Sequence, residues 1–447
     1  MIGVQVAGIT KNNILATIDV TSYKSLKDLY EALIASKKNT FADDERIRIV
    51  YNSANQKKLI DELLLVIDIP DFFVIFETTD VNTGIDFSFS DSFCIYPWIN
   101  LHISTVGEIS SCCIINKNIA NLSNTTIQDA YSSDVMKGLR QQFLVGDRPI
   151  ECSACWREES VGKPSMRQQA KHKFREIYYR LDYQKENVNN LQLFDLNLGN
   201  ACNLSCKICN KIFSSAIAER DHAKGIISTA ELQSLKQSVK WAESEEFWNQ
   251  IENLIQNVKY LDLYGGEPLM SKLHFKFLKR LIELDVAKNI RIDYNSNGTI
   301  YSEQFFDLWR HFKEIKISFS IDDIGERFEA QRVGAKWQQV CENITKYNSR
   351  KSNQFITEVF PTINIQNVFY LPELLEWIST QDFDHVAFNI LDEPSEYNII
   401  SLSRDDKQQI IDKLKPNNSD MCRSVVELLE PSVDVAKKSR QINIIKV

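Results

Sequence analysis

Three cysteines fall within eight residues, in the segment Cys202-Asn203-Leu204-Ser205-Cys206-Lys207-Ile208-Cys209. They follow a run, Leu193-Phe194-Asp195-Leu196-Asn197-Leu198, that reads as a strand. A structural zinc site takes four nitrogen or sulfur ligands, often as paired C-x2-C or C…H knuckles. An ordinary [4Fe–4S] cluster takes four thiolates. Three thiolates on one tight loop, spaced C-x3-C-x2-C, suit a cubane best, because one iron is left open to bind something else. The plainer alternative is three buried structural cysteines.

Composition narrows the class. A chain of 447 residues is too long for one hydrophobic core, so two to four domains are expected. Its 43% hydrophobic and 25% charged residues are ordinary for a globular protein. A formal net charge of −8 argues against a nucleic-acid partner held by a broad basic surface. The longest apolar stretches, Leu63 to Ile67 and Phe72 to Phe76, fall well short of a membrane span. Met1 to Thr10 shows no charged n-region followed by an apolar h-region, so no secretory signal is expected and a cytoplasmic location is. In that compartment ten cysteines, most of them clustered, point to metal or cluster ligation rather than disulfides.

Residues 1–80 read as a small α/β module. Strands are expected at Ile14–Val20, Arg46–Tyr51 and Phe72–Glu77. Between them fall a helix capped by Ser25 with Leu26, Leu29, Leu33 and Ile34 inward, and another over Gln56–Ile67. Nothing in this module concentrates His, Cys or carboxylates, so it is either a docking module or a packing domain. Thr78–Ser92 reads as a linker.

A second group of cysteines, Cys94, Cys112, Cys113, Cys152 and Cys155, occupies a segment over residues 90–168. Trp98–Ile103 and Ile109–Cys113 read as a hairpin turning near Val106-Gly107-Glu108, which would bring Cys94 and Cys112 together, with Cys152 and Cys155 closing the site. Four thiolates would hold either a fully ligated [4Fe–4S] cluster or a zinc ion. Cys113 is the spare thiol, since adjacent residues on a strand point to opposite faces. A polar, helix-prone stretch from Ser165 to about Asn187 bridges to the next domain.

Residues 188–395 alternate strand and helix, which implies a parallel sheet. Strands are expected at Leu193–Leu198, Val258–Tyr264, Ile290–Tyr294, Ile315–Ile321, Ile356–Ile363 and His385–Ile390. Helices are expected at Phe247–Ile255, Leu273–Leu284, Phe305–Phe312, Trp337–Tyr347 and Leu371–Ile378. Parallel strands covered on both faces should be almost wholly apolar. Here one register is apolar (Leu261, Leu263, Ile290, Ile292, Ile315, Ile317, Phe319). The other carries Asp195, Asn197, Asp262, Lys316, Ser318, Ser320, Glu358, Thr362, His385 and Asn389. A polar register facing inward means a wet or ligand-filled pocket. Gly265-Gly266-Glu267-Pro268 follows the second strand, where two glycines allow close backbone approach and Glu267 can pair with an ammonium. Asn295-Ser296-Asn297-Gly298-Thr299, Ser320-Ile321-Asp322 with Arg332, and Asn367 follow later strands. Residues 396–447 form a C-terminal extension with helices near Arg404–Leu414 and Met421–Leu429; Cys341 reads as core, and Cys422 as either a substrate-side thiol or a buried residue.

The C-x3-C-x2-C loop followed by Gly-Gly-Glu-Pro resembles the radical S-adenosylmethionine (radical SAM) superfamily. The C-x12-G-x4-C run from Cys94 through Gly107 to Cys112 resembles the auxiliary-cluster domains called SPASM and twitch. Their order here, with Pro149, Cys152-Ser153-Ala154-Cys155-Trp156 and Glu158–Gly162, is similar to N-terminal-twitch radical SAM proteins. The resemblance implies an α/β fold, a partial (β/α)6 barrel preceded by a twitch domain. It implies a [4Fe–4S] cluster on Cys202, Cys206 and Cys209 whose open iron chelates S-adenosyl-L-methionine, and an auxiliary [4Fe–4S] cluster on Cys94, Cys112, Cys152 and Cys155. Cofactor contacts carry over to Gly265, Gly266 and Glu267, Asn297, Ser320, Arg332 and Asn367. Ile208 stands where the family usually has an aromatic residue that packs on the adenine. The implied activity is an oxidoreductase-type enzyme that cleaves S-adenosylmethionine to a 5′-deoxyadenosyl radical and takes hydrogen from a substrate, with a reductant such as flavodoxin or ferredoxin as partner. A precursor peptide is the first substrate class; a small metabolite, sugar or lipid precursor is the second. A non-enzymatic iron–sulfur carrier or scaffold is a third reading, opposed by the presence of Gly266, Glu267 and Arg332.

Overall fold

The structure, a computed structural model, describes residues 13–19, 28, 31, 45–51, 60, 74–78, 90–160 and 164–430. The chain divides into two compact units. One comprises residues 1–98, 137–156 and 164–190; the other comprises 99–136, 157–163 and 191–447.

The first unit contains a parallel three-stranded sheet in chain order, β1 (Asn13–Asp19), β2 (Glu45–Tyr51) and β3 (Val74–Thr78). These strands lie within two residues of those expected from β-branched runs. Of the two helices expected between them only Asp28, Glu31 and Ile60 are described, each helical, and most of the linker falls outside the described residues. The unit also holds an aromatic cluster: Phe93 stacks on Trp98 at 5.2 Å and meets Tyr183 edge-on at 5.1 Å. The indole of Trp98 donates to the Tyr183 carbonyl at 3.2 Å, so its N–H is satisfied although the ring is 1% exposed. Arg167 spans this cluster, donating to the Phe93 carbonyl at 2.8 Å and lying 5.0 Å over the ring of Trp156. A capping box between Ser165 and Gln168 opens the helix Met166–Lys173. Cys94 and Cys155 are buried in this unit, and Cys152 is half-buried.

The second unit is built on a nine-stranded sheet. Six strands run parallel in chain order: β7 (Leu193–Asn197), β8 (Tyr260–Tyr264), β9 (Arg291–Ser296), β10 (Glu314–Phe319), β11 (Phe355–Val359) and β13 (His385–Val386). The expected fifth and sixth strands are each interrupted. Pro361 lacks a ladder N–H, and beyond it β12 (Thr362–Ile363) pairs instead with β14 (Asn389–Ile390) as a separate two-stranded sheet. Helices Glu245–Leu254, Lys272–Glu283, Glu303–Trp309, Trp337–Asn348 and Leu371–Ser379 alternate with the strands, as the 3.6-residue periodicity predicts. The helices Arg404–Leu414 and 420–430 close the described chain. Cys422 is buried there, whereas Cys341 is only half-buried.

The hairpin forms as expected, from β4 (Asn100–Ile103) and β5 (Glu108–Ser110), with Gly107 at φ +79° in its turn. Its partner is not foreshadowed by local sequence. β4 pairs in parallel with β7, and β6 (Ala120–Asn121) extends β5, so the hairpin continues the large sheet. Residues 99–136 therefore belong to the sheet unit. Of the four cysteines expected to hold an auxiliary cluster, Cys112 belongs to the sheet unit, and Cys94, Cys152 and Cys155 belong to the other.

Register explains the two faces. Leu101, Phe194, Leu261, Ile292, Ile315 and Phe355 align across six strands on one face, and each is nearly inaccessible. The alternate positions carry the polar residues. Among the described residues no helix is long and apolar enough to cross a membrane.

Candidate functional site

The segment between β7 and the helix Ser215–Ala223 carries Cys202, Cys206 and Cys209. It has almost no regular structure, so its shape depends on side chains and on neighbouring loops. Ser214 caps the helix behind it and donates to the Leu204 carbonyl at 2.7 Å. Leu204 is fully buried and anchors the middle of the loop. The amides of Ser205 and Lys207 donate to the carbonyls of Val333 and Gln331 at 2.8 and 3.0 Å. Asn203 donates to Thr299 Oγ1 at 2.9 Å and accepts from Asn297 Nδ2 at 3.1 Å, which ties the loop to the end of β9.

The turn after β8 fits against this loop. Gly265 and Gly266 have φ of +93° and +59°. A Cβ on Gly266 would lie 2.3 Å from the Ala201 carbonyl oxygen, and one on Gly265 would lie 2.5 Å from that of Gly199. The Glu267 amide then donates to the Ala201 carbonyl at 2.7 Å. Only glycine permits this approach of two backbones.

The three thiols share one electrostatic environment. Burial pushes each of them up, Cys206 to about 12. Arg332 pulls Cys206 back, while Cys209 and Cys202 push it further. Left to themselves these groups stay protonated at neutral pH; a metal that takes thiolates must displace the protons. Among the described residues no group of three or more His, Cys, Asp or Glu side chains converges to hold a metal ion. A cubane makes no such demand, because each thiolate takes a different iron. Three thiols on a braced loop beside a glycine turn fit a site-open cluster.

Other expected contacts fall into two groups. Gly265, Gly266, Ser320 and Ile208 keep partial exposure. Arg332 gives Nε and NH2 to Asp322 Oδ2 at 2.8 and 2.7 Å, which leaves further guanidinium donors for a second anion. The remaining three are turned inward. Glu267 is 0% exposed, and its carboxylate accepts from Asn297 N at 2.7 Å, Ser296 Oγ at 3.0 Å and Leu269 N at 3.3 Å. This side chain caps the turn Pro268–Met270 and fastens it to β9. Asn367, 1% exposed, is used up by the Asp322 and Thr362 carbonyls and the Asn364 amide. Asn297 likewise serves the loop bracing described above.

Burial holds the Glu267 carboxyl at about 7, above its ordinary 4.5. The folded protein therefore takes up this proton more readily than the unfolded chain. Stability from this group is present below about pH 4.5 and is lost as pH rises to about 7, a window of roughly 3 kcal/mol. Glu267→Gln is neutral throughout and sets an amide N–H against backbone donors. Urea denaturation should show the wild type gaining on Glu267→Gln as pH falls from 8 to 5; parallel profiles would refute the assignment.

The polar face of the sheet runs from beneath this site across to the hairpin. Beyond the end of β5, Cys112 is buried, and Cys113 lies near the carboxylates of Asp195 and Asp262. The residue is exposed, yet desolvation of its thiol, and then Asp195, push its pKa well above the ordinary value. Sequence reading missed that placement, together with Asp293 and His102. Both could have been found by extending the alternation of Ile292 and Leu101 by one residue.

Residues 196–378 match the model of the Radical SAM superfamily. The chain carries a radical SAM domain. The cysteine loop, the glycine turn and the row of parallel strands fall within the matched residues, apart from the start of β7 and the whole of β13. A radical SAM domain is the domain of an enzyme superfamily. Similar solved structures include native anSMEcpe with bound AdoMet, at 15% identity over 49% of this chain and 58% of that one, with a TM-score of 0.34. They also include Streptococcus suis SuiB bound to precursor peptide SuiA, at 12% identity over 73% and 69%, TM-score 0.34. TYW1 with a lysine-pyruvate adduct bound matches at 15% identity over 51% and 72%, TM-score 0.29. This chain spans 58% of the length of anSMEcpe. Likeness at this level is too slight to carry a substrate or a mechanism across. No curated protein matches the chain.

Proposed function

We propose that the protein is a radical SAM enzyme that takes a hydrogen atom from an organic substrate at the C-terminal ends of its parallel strands, the sheet curling into an open barrel. The observation that carries this reading is the seating of the Cys202–Cys209 loop on the Gly265-Gly266 turn, with backbone meeting backbone where any side chain would clash. When bound, a [4Fe–4S] cluster with S-adenosylmethionine supplies a 5′-deoxyadenosyl radical. The chain's own residues hold and place these groups. Cys202, Cys206 and Cys209 give three thiolates and leave one iron open. The backbone of Gly265 and Gly266 offers carbonyls to an ammonium, Arg332 offers donors to a carboxylate, Ser320 a hydroxyl, and Ile208 an apolar surface for a ring. Glu267, Asn297 and Asn367 position this set from behind.

A second [4Fe–4S] cluster on Cys94, Cys112, Cys152 and Cys155 belongs to the proposal on the strength of their spacing. So does a peptide substrate, on the resemblance of that spacing to auxiliary-cluster domains. Anaerobic reconstitution, iron analysis and a strong reductant with S-adenosylmethionine test it together. The expected result is roughly eight irons per chain and slow release of 5′-deoxyadenosine and methionine. Iron-loaded protein that binds S-adenosylmethionine but never cleaves it would sink the activity; zinc in place of half the metal would sink the second cluster.

A further inference from the structure

Arg332 and Asp322 form an ion pair withdrawn from solvent, with Asp322 1% and Arg332 9% exposed. Charges so placed are costly unless their geometry is fixed and their remaining bonds are met. The two oxygens of Asp322 divide that work. Oδ1 accepts from the amide of Thr362 at 2.8 Å, which fastens the carboxylate to β12. Oδ2 accepts both Nε and NH2 of Arg332, at 2.8 and 2.7 Å. Behind them Asn367 donates from Nδ2 to the carbonyls of Asp322 and Thr362, both at 2.9 Å. The carboxylate is therefore held by backbone independently of the arginine. Because the guanidinium is a planar fork, a carboxylate on its Nε–NH2 edge leaves NH1 on the far edge.

The chain around Arg332 lies directly on the cysteine loop. The amides of Ser205 and Lys207 donate to the carbonyls on either side of it, those of Val333 and Gln331. A Cβ on Gly334, at φ +103°, would lie 3.2 Å from the Asn203 carbonyl oxygen. One short segment thus meets the loop by backbone opposite residues 203, 205 and 207. Electrostatics follow the contact. Burial alone would lower the guanidinium pKa, but Asp322, and then the thiols of Cys206 and Cys209, hold it above its ordinary value.

We propose that Asp322 is a positioning residue, which holds Arg332 so that the free edge of its guanidinium lies between the cluster thiolates and the carboxylate of S-adenosylmethionine. The proposal rests on the radical SAM reading for both of those groups. Asp322 is buried with both oxygens taken, so it reaches the cofactor through Arg332. If it merely neutralised the arginine, its removal would leave a bare cation and tighten the binding of S-adenosylmethionine. As a positioning residue its removal weakens binding, although the net charge has become more favourable to an anion.

Equilibrium binding of S-adenosylmethionine to the full, cluster-loaded chain tests this. Asp322→Asn keeps the shape of the side chain and an oxygen for the Thr362 amide. It should weaken binding by roughly tenfold, and Arg332→Met by roughly ten- to a hundredfold. Asp322→Glu, which keeps the charge but moves it, should also lose several-fold. In the double variant the Asp322→Asn loss should vanish, which a packing role at Asp322 would not produce. Redox titration of the cluster without S-adenosylmethionine is the second measurement. Its midpoint potential should rise in Asp322→Asn and fall in Arg332→Met, since charge beside a cluster helps to set its potential. Unchanged or tighter binding in Asp322→Asn, wild-type binding in Asp322→Glu, additive losses in the double variant, or potentials that move in the same direction would overturn the proposal alone. Failure of the wild type to bind S-adenosylmethionine would refute the radical SAM reading and the proposal together.

Discussion

Replacing Cys202, Cys206 and Cys209 together by Ala should abolish 5′-deoxyadenosine formation and remove about half of the bound iron. The thiols are half-buried, so truncation withdraws little apolar surface from the core, and small losses of buried area cost about 1 kcal/mol or less each. The loop keeps its other anchors, from Asn203 to Thr299 and from Ser205 and Lys207 to the chain at 331–333. The variant should therefore fold, which separates a lost ligand set from a lost structure. If the cysteines were only packing residues, iron content would not move. Iron analysis and chromatography of the nucleoside products on the same preparation decide the matter. Retention of all the iron, or equal product in both proteins, would contradict the assignment.

Gly266→Ala should be the most damaging single substitution at the strand ends. Its new Cβ would meet the Ala201 carbonyl oxygen at 2.3 Å and the Asn200 carbonyl carbon at 2.7 Å, both backbone atoms with nowhere to rotate. Ala at φ +59° adds about 1 kcal/mol of its own. Turn and loop must therefore part, at a cost of roughly 3 kcal/mol or more. The Glu267 amide would lose the Ala201 carbonyl in the process. Gly225→Ala is the control, since Gly225 has φ +69° but nothing within 4 Å of its added Cβ. It carries the conformational cost without the collision. Thermal melts should show Gly266→Ala several degrees below Gly225→Ala, and cluster loading should fail in the former alone. Equal melts and equal iron would mean that the two backbones are not in contact.

How far the sequence reached depended on whether local pattern or distant contact determined each feature. The helix expected over Trp337–Tyr347 ends at Asn348, because its apolar face is written at i, i+3 and i+4. The strands around Asp195, Asp262 and Lys316 were legible from alternation alone, and so was the assignment of one face to polar groups. The direction of the Glu267 side chain was not legible. A Gly-Gly-Glu-Pro turn at a strand end says that backbone approaches something, but not where the next side chain points. That orientation follows from the positive φ of Gly266 and from donors on β9, which only the fold supplies. The partnership of β4 with β7 was equally hidden, since nothing near Leu101 names Phe194 as its neighbour.

That partnership has a consequence for how the chain is made. On a ribosome the hairpin emerges long before the strand it must lie against, for residue 101 pairs with residue 194. At roughly 5–20 residues per second the wait is about 5–20 s. Throughout it Leu101, Ile103 and Ile109, each inaccessible in the finished fold, have no β7 to cover them. A nascent chain of this length presents a sticky, unpaired strand edge. Nascent chains stalled before residue 193 should be captured by holdase chaperones more strongly than chains stalled after residue 264, by which point β7 and β8 have both been translated.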